Sequence, residues 1–513
     1  MNVAEEKLQK AISITLSAGY QLDKEAFQFL NDLAQTEDPL TIIESAIKKL
    51  ESLPEKPLFI GKSHLEDAAK ELSKKTTFIM PLLEQEPEIQ ESKRTFHPYA
   101  KDVEPELKII EDPTTKICTT GAIEEYTQYF RNRFEKLQKL LKQRMDTRDA
   151  VTIKATYKAP PNSKLKTIGM ISEKREINNK IILRIEDPET SATVLVPKNA
   201  PPELQEKAHL LLLDQVICIC CIKGKNNLLI AEDFIWPDIP QKTPQKATSH
   251  VSAALISDLH IGSKLFMREA FSRFIQWLNG KYGNEQLREL ASHVKYVVIA
   301  GDIVDGIGIY PKQLNELEIK DITKQYEAAA RYIEQIPEYI EVIIIPGNHD
   351  ATRKAHPQPA IPKEYAEALY ETRKIWSLGN PSRISLHNVE ILLYHGRSLD
   401  DVVGLVPSIT YDLPDKAMKL FLQCRHLAPI YGGKTPIAPE QQDFLVIENP
   451  PTIFHAGHVH VIKHDYYKGT LLVNSGAWQT QTEFMQKLGL TPIPGIAPIV
   501  NLQNLQVTPI SFV

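Results

Sequence analysis

The spacing of apolar residues changes repeatedly along the chain, and each change marks a different kind of element. Over residues 1–75 apolar positions return every three or four: Leu8, Ile12 and Leu16, then Phe27, Leu30 and Leu33, then Ile43, Ile47 and Leu50. That spacing predicts short amphipathic helices, punctuated by Gly19, the Asp38–Pro39 pair and Pro54. SHLE, Ser63 to Glu66, has capping-box spacing for one more. A small all-helical module is expected here. Between 76 and 120 the pattern dissolves. EQEPEIQESKRTFHPYAKDVEPELKIIEDP is rich in proline and charge without sustained periodicity, and predicts an extended, mobile tether. Helical spacing returns over 121–146, through Tyr126, Phe130, Phe134, Leu137 and Leu141, with a charged face turned to solvent.

From 147 to 245 the period shortens to that of strands. TIGMISEKREINNKIILRIEDPETSATVLVP reads as three strands with turns at Asn178–Asn179 and Asp187–Pro188. A helical link, PPELQEKAHLLLLD, leads to two further strands within QVICICCIKGKNNLLIAEDFIWPDIP. Five strands with a helix between the third and fourth suit an OB-type β-barrel. Residues 163–242 carry eleven Lys or Arg against eleven Asp or Glu, with few aromatics beyond Phe234 and Trp236. That makes a poor stacking platform for single strands, so the barrel is expected to organise its neighbouring domains. The remainder, 246–513, contains short apolar runs: SAALI, YVVIA, EVIII, VEILLY, TIFH and LLVN. Runs of this kind suit strands buried on both faces of an α/β domain. The expected whole is multidomain.

A chain of 513 residues is too long for one core. Its charged N-terminus, MNVAEEKLQK, is unlike a secretory signal, and no stretch approaches the roughly 18 apolar residues of a membrane span. An intracellular, soluble protein with no membrane partner is expected. A net charge of −5 argues against a general basic coat for nucleic acid, although a metal can make one cleft positive. The five cysteines include a CICC run that lacks C-x-x-C spacing, which excludes a structural zinc; Cys218 and Cys220 are expected on one face of a strand.

The chemistry follows the strands. SAALI runs into SDLH, giving Asp258 and His260; YVVIA runs into GDIVDG, giving Asp302 and Asp305; EVIIIP runs into GNHD, giving Asn348, His349 and Asp350. VEILLY ends at HG, giving His395, and TIFHA ends at GHVH, giving His458 and His460. One such motif recurs by chance; five in order, each behind a strand, do not. The carboxyl ends of strands are where open α/β sheets place their ligands. A set of Asp oxygen, Asn oxygen and His nitrogen without thiolate suits Mn²⁺, Zn²⁺ or Fe²⁺. There are donors enough for two ions, and two divalent cations among few carboxylates leave a positive site that selects an anionic phosphoester. Asp305 and Asp350 read as hydrogen-bonding supports. His455 falls inside a strand and His464 beyond the motif, so neither reads as a ligand; His356 and His426 stand as candidate substrate-side groups.

These blocks resemble the calcineurin-like metallophosphoesterases, whose order D-x-H, G-D-x-x-D, G-N-H-[DE], H and G-H-x-H is complete here. The resemblance implies a C-terminal α/β phosphodiesterase domain of two sheets flanked by helices. It implies one metal held by Asp258, His260, Asp302 and His460. The other falls to Asp302, Asn348, His395 and His458, with Asp302 bridging. His349 would protonate the leaving oxygen or stabilise the phosphorane. Longer stretches, GNHDATRKAHPQPAI, YHGRSLDDV, RHLAPIYGGKTPIAPE and VNSGAWQTQTEFM, with RIEDPETSATVLVPK and WPDIP in the barrel, resemble the small-subunit family of the archaeal D-family DNA polymerases. That resemblance implies a 3′–5′ exonuclease that removes misincorporated nucleotides, with Mn²⁺ the first expectation and Zn²⁺, Fe²⁺ or Mg²⁺ as alternatives. It implies a large catalytic polymerase subunit, DNA single strands and primer 3′ ends as partners, and a cytoplasmic, nucleoid-associated location. A sliding clamp is a further candidate partner, though no clamp-binding peptide stands out. The alternatives are another calcineurin-like phosphatase or phosphodiesterase, and a non-catalytic scaffold subunit.

Overall fold

The structure, a computed structural model, describes residues 96–513 without a break and parts of the span 11–67. The chain divides into two compact units, Met1–Glu88 and Ile89–Val513. In the first, the helix Lys24–Leu33 buries Ala26 and Leu30, which join Ile43, Ile47, Leu50 and Leu65 in one apolar cluster. Phe27, on the expected stripe, is exposed instead. The helix expected at SHLE spans 62–67, with His64 Nδ1 accepting from the Gly61 N–H at 3.1 Å. The unit is not all-helical: strands β1 (Gln21–Leu22) and β2 (Phe59–Ile60) pair in parallel. Two-residue strands distant in sequence leave no period to read. Leu8, Ile12, Leu16 and Gly19 lie outside the described residues.

Of the expected tether, 76–95 lie outside the described residues, and 96–120 are not a tether. Strand β3 (Leu107–Glu111) pairs antiparallel with a strand at Ser382–Leu386 and closes one edge of a sheet. The flanking backbone is tied down too. Lys295 Nζ donates to the Ala100 carbonyl at 3.0 Å, Tyr296 Oη accepts from the Glu106 N–H at 2.9 Å, and Glu440 Oε2 accepts from Cys118 and Thr119 N–H. Partners so remote outweigh a local composition that reads as disordered.

The helix Ile123–Lys142 begins where Glu125 gathers four successive groups, from the Thr119 hydroxyl to the Ala122 N–H. It buries Tyr129, Phe134, Leu137 and Leu141, and with them Arg133. The Arg133 guanidinium is fully enclosed, pairing with Asp443 at 2.7 Å and donating to the Pro429 carbonyl at 2.6 Å and Tyr129 Oη at 2.9 Å. His426 reaches the same Asp443 carboxylate at 2.8 Å. This helix also covers the barrel: Phe134, Leu137 and Leu141 pack on Ile168 and Cys218.

The barrel is closed, in the order β4 (Lys164–Ile177), β5 (Lys180–Glu186), β6 (Ser191–Val196), β8 (Leu229–Ile235), β7 (Val216–Lys223), with the helix Pro202–Leu210 between β6 and β7. Asn178 and Asn179 both have positive φ, the left-handed pair that a two-residue hairpin turn requires. Cys218 and Cys220 share the outer face of β7, and all five cysteines are free.

Two six-stranded sheets follow. One runs β12 (Ile375–Ser377), β11 (Glu341–Ile345), β10 (Val294–Ala300), β9 (Ser252–Ile256), β18 (Ile496–Asn501), β19 (Val507–Ser511). The other runs β16 (Lys463–Tyr467), β17 (Thr470–Asn474), β15 (Ile453–Ala456), β14 (Val389–Leu393), β13 (Ser382–Leu386), β3. Strands β9 to β12 are parallel, as are β14, β15 and β17. Leu255, Val298 and Ile343 of the first sheet pack against Ile391, Ile453 and Val473 of the second in one core. Helices Arg268–Leu278 and Ile322–Ile333 cover the first sheet, and Pro414–Cys424 covers the second. Strands buried on both faces explain the unbroken apolar runs. Among the described residues no helix is long and apolar enough to cross a membrane.

The Arg133–Asp443 pair yields a stability prediction. Asp443→Ala leaves a buried guanidinium uncompensated, so it should cost about 3–5 kcal/mol. The double variant Arg133→Met/Asp443→Leu should recover much of that in denaturant unfolding of the full chain. A loss under about 1 kcal/mol in the single variant would show the pair to be solvated.

Candidate metal centre

All seven residues expected to hold metal, and His349 with them, meet where the carboxyl ends of the two sheets converge. β9 delivers Asp258 and His260, β10 Asp302, β11 Asn348, β14 His395, and β15 His458 and His460. Their backbones are unusual. Asp258, His260, Asp302, His458 and His460 all have φ between 51° and 73°, the left-handed region that non-glycine residues avoid. Each such residue costs on the order of 1–3 kcal/mol and persists only where its surroundings impose it. The turns are pressed together. A Cβ on Gly347 would lie 2.2 Å from Asp302 Oδ1, and one on Gly301 would lie 2.6 Å from His395 Nδ1. Glycine is required by close approach at both.

The side chains form two adjoining groups. In one, His260 Nε2 and His460 Nε2 are 3.0 Å apart, with Asp258 Oδ1 3.4 Å from His460 Nε2. In the other, His395 Nε2 lies 3.0 Å from Asn348 Oδ1 and 3.3 Å from Asp302 Oδ2, and His458 completes the set. Asp302 Oδ2 is also 3.8 Å from His260 Nε2, so it faces both groups. His349 lies at the edge, its Nε2 3.9 Å from Asp302 Oδ2. Its Nδ1–H donates to the Asp305 carbonyl at 2.6 Å, which leaves Nε2 facing the group.

Further polar groups orient these donors. Asp305 Oδ1 holds His260 Nδ1 at 3.0 Å and itself accepts from Gln479 at 3.0 Å. The Ala300 carbonyl holds His395 Nδ1 at 2.8 Å. Asp350 accepts from the N–H groups of Gly347, Ile303 and Val304 and from Tyr326 Oη, pinning the β10 and β11 turns together. Asp400 holds His458 Nε2 at 3.2 Å and accepts from Tyr411 Oη at 3.0 Å. Asp400 was not among the residues singled out from the sequence; it sits in SLDD beyond the β14 motif, with no spacing that ties it to the histidines.

The electrostatics suit cations. Burial alone would depress His260 and His395, yet neighbouring carboxylates, Asp258 and Asp305 for the first and Asp302 for the second, push them up to about 10 and about 9. Burial dominates at His349 and presses it down to about 4. Asp258 Oδ1 and His460 Nδ1 are buried without a hydrogen-bond partner. An orphaned carboxylate oxygen and two imidazole nitrogens turned toward each other fit ligation of divalent ions, with donors of the kind Mn²⁺ or Zn²⁺ accept.

The site opens into a cleft of about 660 Å³. Lys354, Arg397 and Lys434 line it beside the donors, as do Tyr310 and Phe484. His356 and His426 do not line it. Each is about 1 % exposed, His356 against Asn380 and His426 against Asp443, so both are core histidines rather than substrate-side groups. His455 is a core residue as well, 2.9 Å from Ser475 Oγ, and His464 lies exposed on β16.

Partners that orient a metal-ligating histidine typically contribute 10- to 100-fold in metal affinity. Asp305→Ala should therefore weaken Mn²⁺ binding by about that factor in calorimetry, with the fold retained by circular dichroism. Unchanged affinity would remove His260 from the ligand set.

Residues 253–462, from β9 to just beyond His460, match the DNA polymerase alpha/epsilon B-subunit family. The DNA polymerase II small subunit of Methanocaldococcus jannaschii is 40% identical over 410 residues, 79% of this chain and 68% of that one. The small subunit of Methanothermobacter thermautotrophicus is 42% identical over 397 residues, 77% and 81% of the two chains. Among solved structures, a novel archaeal phosphodiesterase covers 51% of this chain and 99% of its own, at 13% identity and a TM-score of 0.26, too low to carry an argument. Identity of this extent across most of both sequences means that the chain belongs to the DNA polymerase II small-subunit family.

Proposed function

We infer that the centre hydrolyses the terminal phosphodiester of a DNA strand from its 3′ end, and that the chain does this as partner of a large catalytic polymerase subunit. The observation that carries the reading is a cluster of oxygen and nitrogen donors that opens, through His260, Asp302, Asn348, His458 and His460, onto one cleft with Lys354, Arg397 and Lys434. The family's name supports the partner. The barrel, with the strand order of an OB fold, supports a role in assembly, since its charge is balanced.

Two divalent ions, when bound, supply charge neutralisation and an activated water. Asp258, His260 and His460 would hold one and Asn348, His395 and His458 the other, with Asp302 between them. Mn²⁺ is the ion to test first. The chain's own groups do the rest. Lys354 donates to the Asn348 and Asp350 carbonyls at 2.6 and 3.3 Å, so its ammonium is fixed beside the donors to attract phosphate. His349 is oriented by the Asp305 carbonyl, and an anionic phosphate against Nε2 favours its charged ring. That ring then gives a proton to the departing 3′ oxygen.

The test is digestion of a labelled single strand and of a mismatched primer–template with Mn²⁺, by the chain alone and with its large partner. Release of mononucleotides from the 3′ end is expected. Cleavage confined to phosphomonoesters would make the centre a phosphatase, and no cleavage in either setting would leave a scaffold. Asp302→Ala should abolish digestion with the fold intact; near-native rates would sink the two-ion arrangement. His349→Ala should retain Mn²⁺ in calorimetry yet cleave about 10²–10⁴-fold more slowly in single turnover, the usual contribution of a general acid. Joint loss of metal and activity would make His349 a ligand.

A further inference from the structure

Phosphodiester hydrolysis needs donors and cations, but this cleft is also lined by exposed apolar and aromatic surface. Ile307, Phe484 and Leu488 border it and are 41%, 42% and 54% exposed. The Phe484 ring stacks on Tyr310, with centroids 5.4 Å apart and planes 25° from parallel. The Tyr310 ring is in turn 6.2 Å from the imidazole of His349. One carboxylate fixes the pair. Glu316 Oε2 accepts from Tyr310 Oη at 2.7 Å, and its Oε1 accepts from the Glu483 N–H at 3.0 Å, at the start of the helix Glu483–Leu488 that carries Phe484. The rings are thus held together from two distant parts of the chain, and Phe484 remains open to the cleft.

Contiguous exposed apolar surface rimmed by polar groups marks a ligand-binding groove. A nucleobase is one sugar away from its phosphate, and it has a π-face that any aromatic can stack. We propose that Tyr310 and Phe484 form a stacking platform for the terminal bases of an unpaired DNA strand, setting the phosphodiester beside His349 and the donor cluster. This rests on the phosphodiesterase reading above and gives it a selectivity. A paired end must separate before its base reaches Phe484, and separation costs least where the end is mismatched. The platform thereby favours misincorporated ends without reading their sequence.

The test uses the full chain, in EDTA, with a single strand carrying 2-aminopurine at its 3′ terminus. Stacking should quench its fluorescence on binding. Phe484→Ala should abolish the quench and weaken binding about 5- to 150-fold, the range a lost base–aromatic stack gives. Phe484→Trp should restore both, which a merely structural role for Phe484 would not predict. Equal quenching by the native chain and Phe484→Ala would overturn the platform, as would quenching by 2-aminopurine placed deep in the strand alone. Hydrolysis of bis(4-nitrophenyl) phosphate by the native chain with Mn²⁺ reports the centre separately. Its failure would overturn the phosphodiesterase reading, while the quench, measured without metal, still decides the platform.

Discussion

The close approach of backbone turns at the carboxyl ends of two sheets is the constraint on which the rest depends. Asp302 can face both donor groups only because Gly347 has no Cβ, and Gly301 lies against His395 for the same reason. Such contacts hold only if the sheets are fixed to within fractions of an ångström. The shared apolar core between them, built from strands buried on both faces, supplies that rigidity. Asp350 adds a polar lock, drawing N–H groups from two turns onto one carboxylate.

Rigidity at the centre extends outward through charge buried at the domain junctions. Arg133 is enclosed with Asp443 and His426, so the helix Ile123–Lys142 can take only one register against the two sheets. The same helix covers the barrel through Phe134 and Cys218. One element therefore sets barrel and centre relative to each other.

Much of this was legible in the sequence, and what was not has a common cause. The six apolar runs are strands, and every donor follows one, because burial on both faces and a turn at the end are local properties. The five-stranded barrel with its helix was legible for the same reason, as was the Asn178–Asn179 hairpin. Strand β3 was hidden in charge and proline because its partner lies some 275 residues away in β13. Edge strands β16 and β19 alternate too weakly to stand out. Arg133 reads as one more solvent charge, since only Asp443 makes its burial tolerable. Asp400 contacts His458 from a different turn, and no spacing announces it.

Left-handed backbone recurs at the ends of the donor-bearing strands. Five of the seven residues that would hold metal sit in left-handed turns, among other non-glycine positions of the chain that do so. At on the order of 1–3 kcal/mol apiece the total rivals the stability of a whole domain. A chain using these sheets only as an assembly surface would lower its energy by placing glycine or asparagine there, as at Gly301 or Asn178, where φ is also positive. Aspartate and histidine at those positions gain nothing in packing that smaller residues would lose. Their side chains instead converge, with Asp258 Oδ1 and His460 Nδ1 left unpartnered inside the protein. Left-handed turns and unpartnered polar atoms thus meet in one cluster, an arrangement that fits the cation ligation proposed above.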